Sequence, residues 1–177
     1  PRTTAELYQT AADAMLARSD VASVELRSLL QAVFFEAHIA QTRVITDVHL
    51  DRAALGVFGP KGALAELDAA HRGESAAAAL AAAVEALPRN AKSALRDVRD
   101  RVARDSLPLL SLLRKVDPLE MQASHLSFQE YFAASAIRSG AYRLPEGSPP
   151  PWEWPAFFAN TLKLGSEMGA AFGEGLA

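Results

Sequence analysis

Alanine fills about a fifth of this 177-residue chain, and seven of the nine residues from Ala76 to Val84 are alanine. Alanine has the highest intrinsic helix propensity. β-Branched residues are sparse and aromatics make up only 7%, which steers the backbone toward helices and away from a β-sandwich or a parallel sheet. Half the chain is apolar, 22% is charged and the formal net charge is −3, a balance that fits one soluble globular domain or two small ones sharing a core. Cysteine is absent, so disulfides, thiol chemistry and thiolate-bound zinc are excluded. A pI near 5.8 gives no general attraction to phosphate polymers. The apolar run from Ala76 to Val84 is too short to cross a bilayer. The chain opens on Pro1-Arg2-Thr3-Thr4, with neither Met nor a charged-then-apolar leader; the expectation is a processed chain or a fragment in an intracellular, cytoplasmic setting.

Helix signals recur along the chain. Thr3-Thr4-Ala5-Glu6 reads as a Thr-x-x-Glu capping box, followed at helical spacing by Leu7, Ala11 and Met15 and by Tyr8, Ala12 and Leu16. A second helix is expected over about Ser23 to Ala40, with a wide apolar face of Leu26, Leu29, Leu30, Val33, Phe34 and Ala37 that marks it as central. Thr42-Arg43-Val44-Ile45 breaks the pattern as a short extended piece. Thr46 then caps a third helix that Gly56 should end. Between Gly62 and Arg104, interruptions at Gly73 and Pro88 divide the sequence into three helices, the last over Asn90 to Asp105. Its Arg96-Asp97-Val98-Arg99-Asp100-Arg101 run alternates in sign, as a solvated helix face does.

Beyond Pro108 the texture changes. Two short runs, Leu109 to Val116 and Leu119 to Ser124, flank Asp117-Pro118 as a hairpin does. Ser127-Phe128-Gln129-Glu130 has the form of a second capping box, opening a helix that runs to Gly140. A Pro-rich connector spans 141–155, with Trp152 and Trp154 flanking Glu153. It is expected to act as a stiff spacer pinned to a surface by its two indoles, rather than as a free polyproline ligand. Pro155 can sit in the first turn of a final helix over 156–177. That helix would carry Phe157, Thr161, Leu164, Met168 and Phe172 on one face. Gly165, Gly169 and Gly173 form a neighbouring strip for close docking, possible on another subunit.

His125-Leu126-Ser127-Phe128-Gln129-Glu130-Tyr131-Phe132-Ala133-Ala134 resembles a signature of NACHT-type STAND nucleotide-triphosphatases, which closes their winged-helix domain. Leu29 to His38 with Thr46 to Leu50 resembles the opening of that domain, and Glu6 to Ala11 the close of the small helical domain before it. The resemblance implies a mainly α fold: residues 1–20 ending a small helical domain, 21–140 a winged-helix-like domain with a β-hairpin wing and a helical insertion at about 60–106, then the connector and a C-terminal helical extension. It also implies that His125 can reach the β-phosphate of ADP held by a nucleotide-binding domain in cis or in trans. The bare residues allow the plainer alternative that His125 only bonds the wing backbone.

No Gly-x-x-x-x-Gly-Lys-Ser/Thr loop occurs in these residues. Gly59-Pro60-Lys61-Gly62 is a poor substitute, because Pro60 removes an amide that a phosphate cradle needs. His38 and His49, with Glu36 and Asp47 nearby, lack the i, i+3 or i, i+4 spacing of helical metal ligands. No nucleophile elbow or acid/base pair is legible. Read as a recognition helix, Asp47-Val48-His49-Leu50-Asp51-Arg52 carries two acids against one base, which disfavours DNA. The sequence therefore predicts a non-enzymatic protein-interaction or switch module, without catalytic residues, metal, cofactor of its own, nucleic acid or membrane span. Trp152, Trp154, Phe157, Gly165 and Gly169 are its candidate partner-binding residues. The alternative is a small helical structural or accessory subunit of a larger assembly that does no switching.

Overall fold

The computed structural model describes residues 1–18, 23–71, 73–115, 118–141 and 147–177. Connector residues 142–146 and the Asp117 half of the expected turn lie outside them. Among the described residues the fold is mainly α-helical with one small antiparallel sheet, as the composition predicts. Its elements are α1 (Thr4–Arg18), α2 (Val24–Ile39), β1 (Ile45–Thr46), α3 (Asp47–Phe58), α4 (Ala63–Ala70), α5 (Glu74–Glu85), α6 (Arg89–Ala103), β2 (Leu110–Arg114), β3 (Glu120–Ala123), α7 (Leu126–Ser139), α8 (Ala159–Glu167) and α9 (Ala170–Leu176).

The apolar face read for α2 is buried, and from Ala32 to His38 every residue is buried. A helix covered on all sides needs neighbours on all sides. α2 packs most extensively against α7 and α3 and also meets α6. Phe34 of α2 stacks on Phe132 of α7 with ring centroids 5.2 Å apart. α1 lays Ala5, Ala12 and Leu16 inward, while Leu7, expected on its apolar stripe, is 54% exposed. Its N-terminus is closed in part as predicted. The Glu6 N–H donates to Thr3 Oγ1 at 3.1 Å, but the Glu6 carboxylate turns to the backbone of Arg2 instead.

The sheet has strand order β1-β3-β2, with Ile45 opposite Met121 and Leu110 opposite Ala123. Helix, strand, helices and then two hairpin strands, with the first strand pairing the last, form a winged-helix-like arrangement. A β-bulge lies between Leu112 and Arg114. It leaves Leu113 47% exposed, since a bulged residue falls out of the ladder. α6, directly before the hairpin, packs on α2, α3 and β2, so it is part of the helix-and-wing core; α4 and α5 pack on α3 and each other. The 60–106 segment therefore divides into a helix pair that packs on α3 and one helix of the core.

Several boundaries differ from the sequence reading for identifiable reasons. Gly56 does not end α3, which continues to Phe58 because Val57 and Phe58 pack against the core and offset the roughly 1 kcal/mol that an interior glycine costs. The Ser127–Glu130 capping box is absent: α7 is capped by His125 in extended conformation, with no side-chain cap. Glu130 instead accepts a bond from Asn160 Nδ2. The single C-terminal helix is two, preceded by a 3-10 turn at Ala156–Phe158. Gly169 breaks it at φ 83°, in the left-handed region that favours glycine. α9 then folds against α7 and α8.

Of the expected glycine strip, Gly165 alone is covered by its own chain, while Gly169 and Gly173 have open space beside them. A Cβ on Gly165 would overlap the Phe172 ring, and one on Gly175 would overlap the Ile137 carbonyl. Gly165→Ala is expected to destabilise by about 1–3 kcal/mol through overpacking. Thermal melts should show the loss, and adding Phe172→Leu should recover part of it.

Candidate functional site

His125 stands where β3 passes into α7. Its side chain is exposed, with the ring 6.3 Å from that of Phe128. The helix behind it is firmly seated, because Phe128, Gln129, Glu130, Tyr131, Phe132 and Ile137 are all buried. Two polar members of the signature act over long range. Gln129, fully buried, donates through Nε2 to the Thr42 carbonyl at 2.9 Å and so holds the segment entering β1. Glu130 holds α8 through Asn160.

A charged network lies along α3. Glu36 is 5% exposed and accepts from Arg52 Nε at 2.8 Å; the same guanidinium grips both oxygens of Asp68, at 2.7 and 2.9 Å. Burial pushes the Glu36 carboxyl above its ordinary range, against the pull of Arg52. The hydrogen bond from Arg52 holds Asp68 below its own. Arg99 of α6 bridges Asp47 and Asp51, and the second oxygen of Asp47 accepts from the Leu119 N–H at 3.1 Å, tying α3, α6 and the wing together. The Arg99 of the alternating run is thus engaged rather than solvated. His49 Nδ1 accepts from the Thr46 N–H at 3.0 Å, taking the place that Glu or Gln holds in a capping box. Burial, helped by Arg52, lowers its pKa, as an accepting nitrogen requires.

His38 is 1% exposed. Its Nε2 lies 2.6 Å from Thr161 Oγ1 of α8, and its ring touches Phe157 and Phe158 at centroid distances of 4.8 and 4.9 Å. Burial pulls its pKa down to about 4. Its Nδ1 has no hydrogen-bond partner among the described residues. His38 and His49 therefore serve different elements, and no three His, Cys, Asp or Glu side chains among the described residues converge as metal ligands.

Between the end of α2, the start of α3 and the connector lies an open cavity of about 530 Å³. Ile39, Val48, Pro149, Trp154 and Phe158 supply apolar wall, and Glu36, His49 and Arg52 a polar edge. Trp154 is fixed there, since its Nε1–H donates to the Pro149 carbonyl at 2.6 Å and its ring lies 5.3 Å from Phe158.

The expected partner-binding residues separate. Trp152 is 83% exposed. Trp154 and Phe157 are half-buried against their own chain, Gly169 is an exposed turn residue, and Gly165 is buried. Gly165 cannot meet a partner, because Phe172 already covers it. Sequence reasoning missed the Glu36–Arg52–Asp68 and His38–Thr161 contacts, which join residues 16 and 123 positions apart and leave no local pattern. The one available signal was polar Glu36 and His38 inside the apolar run of α2.

No protein-family model, curated protein or solved structure matches this chain. No helix among the described residues is long and apolar enough to cross a membrane.

Proposed function

We propose that this chain is a non-catalytic interaction and switch module, similar to the winged-helix part of NACHT-type signalling nucleotide-triphosphatases. The observation that carries the reading is His125: an exposed imidazole at the junction of wing and α7, on a helix whose signature side chains from Phe128 to Ala134 are buried. An imidazole N–H donor suits a phosphate oxygen, because hydrogen bonds to a charged acceptor are about twice as strong as neutral ones. In this reading the nucleotide sits on a neighbouring domain, in cis or in trans. His125 holds the module against it in the ADP state, and nucleotide exchange releases the wing. Gln129 and Glu130 carry that motion to β1 and α8.

The test is His125→Ala in a protein that joins this module to a nucleotide-binding domain. ADP should dissociate about tenfold faster, since a lost charge-assisted bond is worth roughly 1.5 kcal/mol or more, while the melting temperature of the module stays unchanged. Unchanged ADP release would favour the second reading, a static structural subunit. That alternative draws support from the way α8 is tied to α2 by His38–Thr161 and to α7 by Glu130–Asn160, while α9 packs on α7 where Gly175 meets Ile137.

A further inference from the structure

The cavity of about 530 Å³ bounded by α2, α3 and the connector has the size of a small-molecule site, which is roughly 300–1,000 Å³. Most of its wall is apolar, from Ile39, Val48, Trp154 and Phe158. Its charged and titratable lining residues are contiguous: Arg52 bonds Glu36 at 2.8 Å and stands one helical turn from His49 on α3. Each has a defined hydrogen-bonding role. His49 accepts the Thr46 N–H on Nδ1, which leaves its own hydrogen on Nε2 and makes that nitrogen a donor. Burial and Arg52 hold its pKa down, so the ring is uncharged at neutral pH. Glu36 engages Arg52 through one carboxylate oxygen, and the other oxygen has no partner among the described residues. Trp154 adds no donor, because its Nε1–H is already given to the Pro149 carbonyl, a bond that sets this wall in place without a ligand.

We propose that this cavity binds a small, uncharged, planar heteroaromatic molecule with an N–H beside a carbonyl on one edge, the N–H donating to Glu36 and the carbonyl accepting from His49 Nε2. An apolar enclosure with a few placed polar groups takes its affinity from the ring and its orientation from the edge. Charge decides between ligand classes. Glu36 and Arg52 already neutralise each other across 2.8 Å, so a cation or an anion would have to compete with a formed and partly buried ion pair. A neutral donor–acceptor edge leaves that pair intact. ADP lies outside this class, since its phosphates would add negative charge beside Glu36 and Asp68. The inference is independent of the nucleotide reading of His125.

The test is titration of the full 177-residue chain with 2-quinolone, a two-ring lactam, followed on the Trp154 indole N–H resonance, which Trp152→Phe assigns. The expected result is a saturable shift with a dissociation constant below about 1 mM. N-methyl-2-quinolone keeps the ring and the carbonyl but has no N–H, and should bind about tenfold more weakly, the worth of one hydrogen bond to a charged group. N-methylquinolinium and quinoline-2-carboxylate, a cation and an anion of similar size, should both bind more weakly than the lactam. Glu and Gln each suit the capping position that His49 fills, so both substitutions keep the fold and its thermal melt. His49→Glu removes the donor and should weaken 2-quinolone about tenfold, whereas His49→Gln restores an N–H and should recover most of the binding. No saturable shift with 2-quinolone overturns the proposal. Equal binding of the N-methyl compound, tighter binding of either ion, or equal effects of His49→Glu and His49→Gln overturns it as well.

Discussion

Arg52→Ala is expected to lower the unfolding free energy by about 3 kcal/mol at pH 8, one of the two largest single effects anticipated in this protein. The guanidinium is the ionic partner of Glu36, which is 5% exposed, and removing one member of a buried pair strands the other charge at a cost of about 3–5 kcal/mol. Arg52 itself is 25% exposed and the Asp68 carboxylate 53% exposed, so the lower end applies and the Asp68 contact adds little. The loss has a pH signature. Burial already raises the Glu36 pKa, and without Arg52 it rises further. A carboxyl whose folded pKa exceeds its unfolded one stabilises the fold only when protonated, so its penalty grows as pH climbs through that interval. The difference between wild type and variant in urea titrations should therefore be largest at pH 8 and shrink toward pH 4.5. A constant difference would show that Glu36 stays ionised and solvated in the variant.

Acid should produce the second large effect. His38 is neutral in the fold, with a pKa of about 4 against an ordinary 6.5. The unfolded chain binds a proton between those values and the folded one does not, so stability is full above pH 6.5 and falls as pH drops toward 4. The expected loss is about 3 kcal/mol. Lowered by burial and by Arg52, His49 adds to the loss in the same direction. His38→Gln should flatten most of this dependence. Hydrogen exchange should place the first acid opening at α8 and the preceding 3-10 turn, since Thr161, Phe157 and Phe158 are what His38 contacts. A wild-type protein equally stable at pH 7 and pH 4.5 would mean that His38 reaches solvent.

The elements most legible in the sequence were those set by local chemistry. The apolar face of α2, the Gly73 and Pro88 interruptions and the hairpin of β2 and β3 all follow from residues within a few positions of one another. Features decided by distant packing were not legible. Gly56 looked like a stop, but Val57 and Phe58 had core to fill. Glu130 looked like half of a capping box, yet its partner is Asn160, thirty residues on. The glycines at 165 and 169 looked like one open strip, but the left-handed Gly169 turns the chain so that Phe172 closes over Gly165. Of the candidate site, His125 was reached through the family resemblance of the run that it opens, and Trp152 through the Pro-rich connector that it punctuates. The buried polar pairs under α3 and α8 could not, because their partners meet only after the helices pack.

In the proposed function the nucleotide sits on a neighbouring domain, and only His125 reaches it from this chain. Calorimetric titration of ADP into the 177-residue chain addresses this most directly. The prediction is no saturable heat up to about 1 mM ligand, in wild type and His125→Ala alike. Saturable binding in the micromolar range would contradict it.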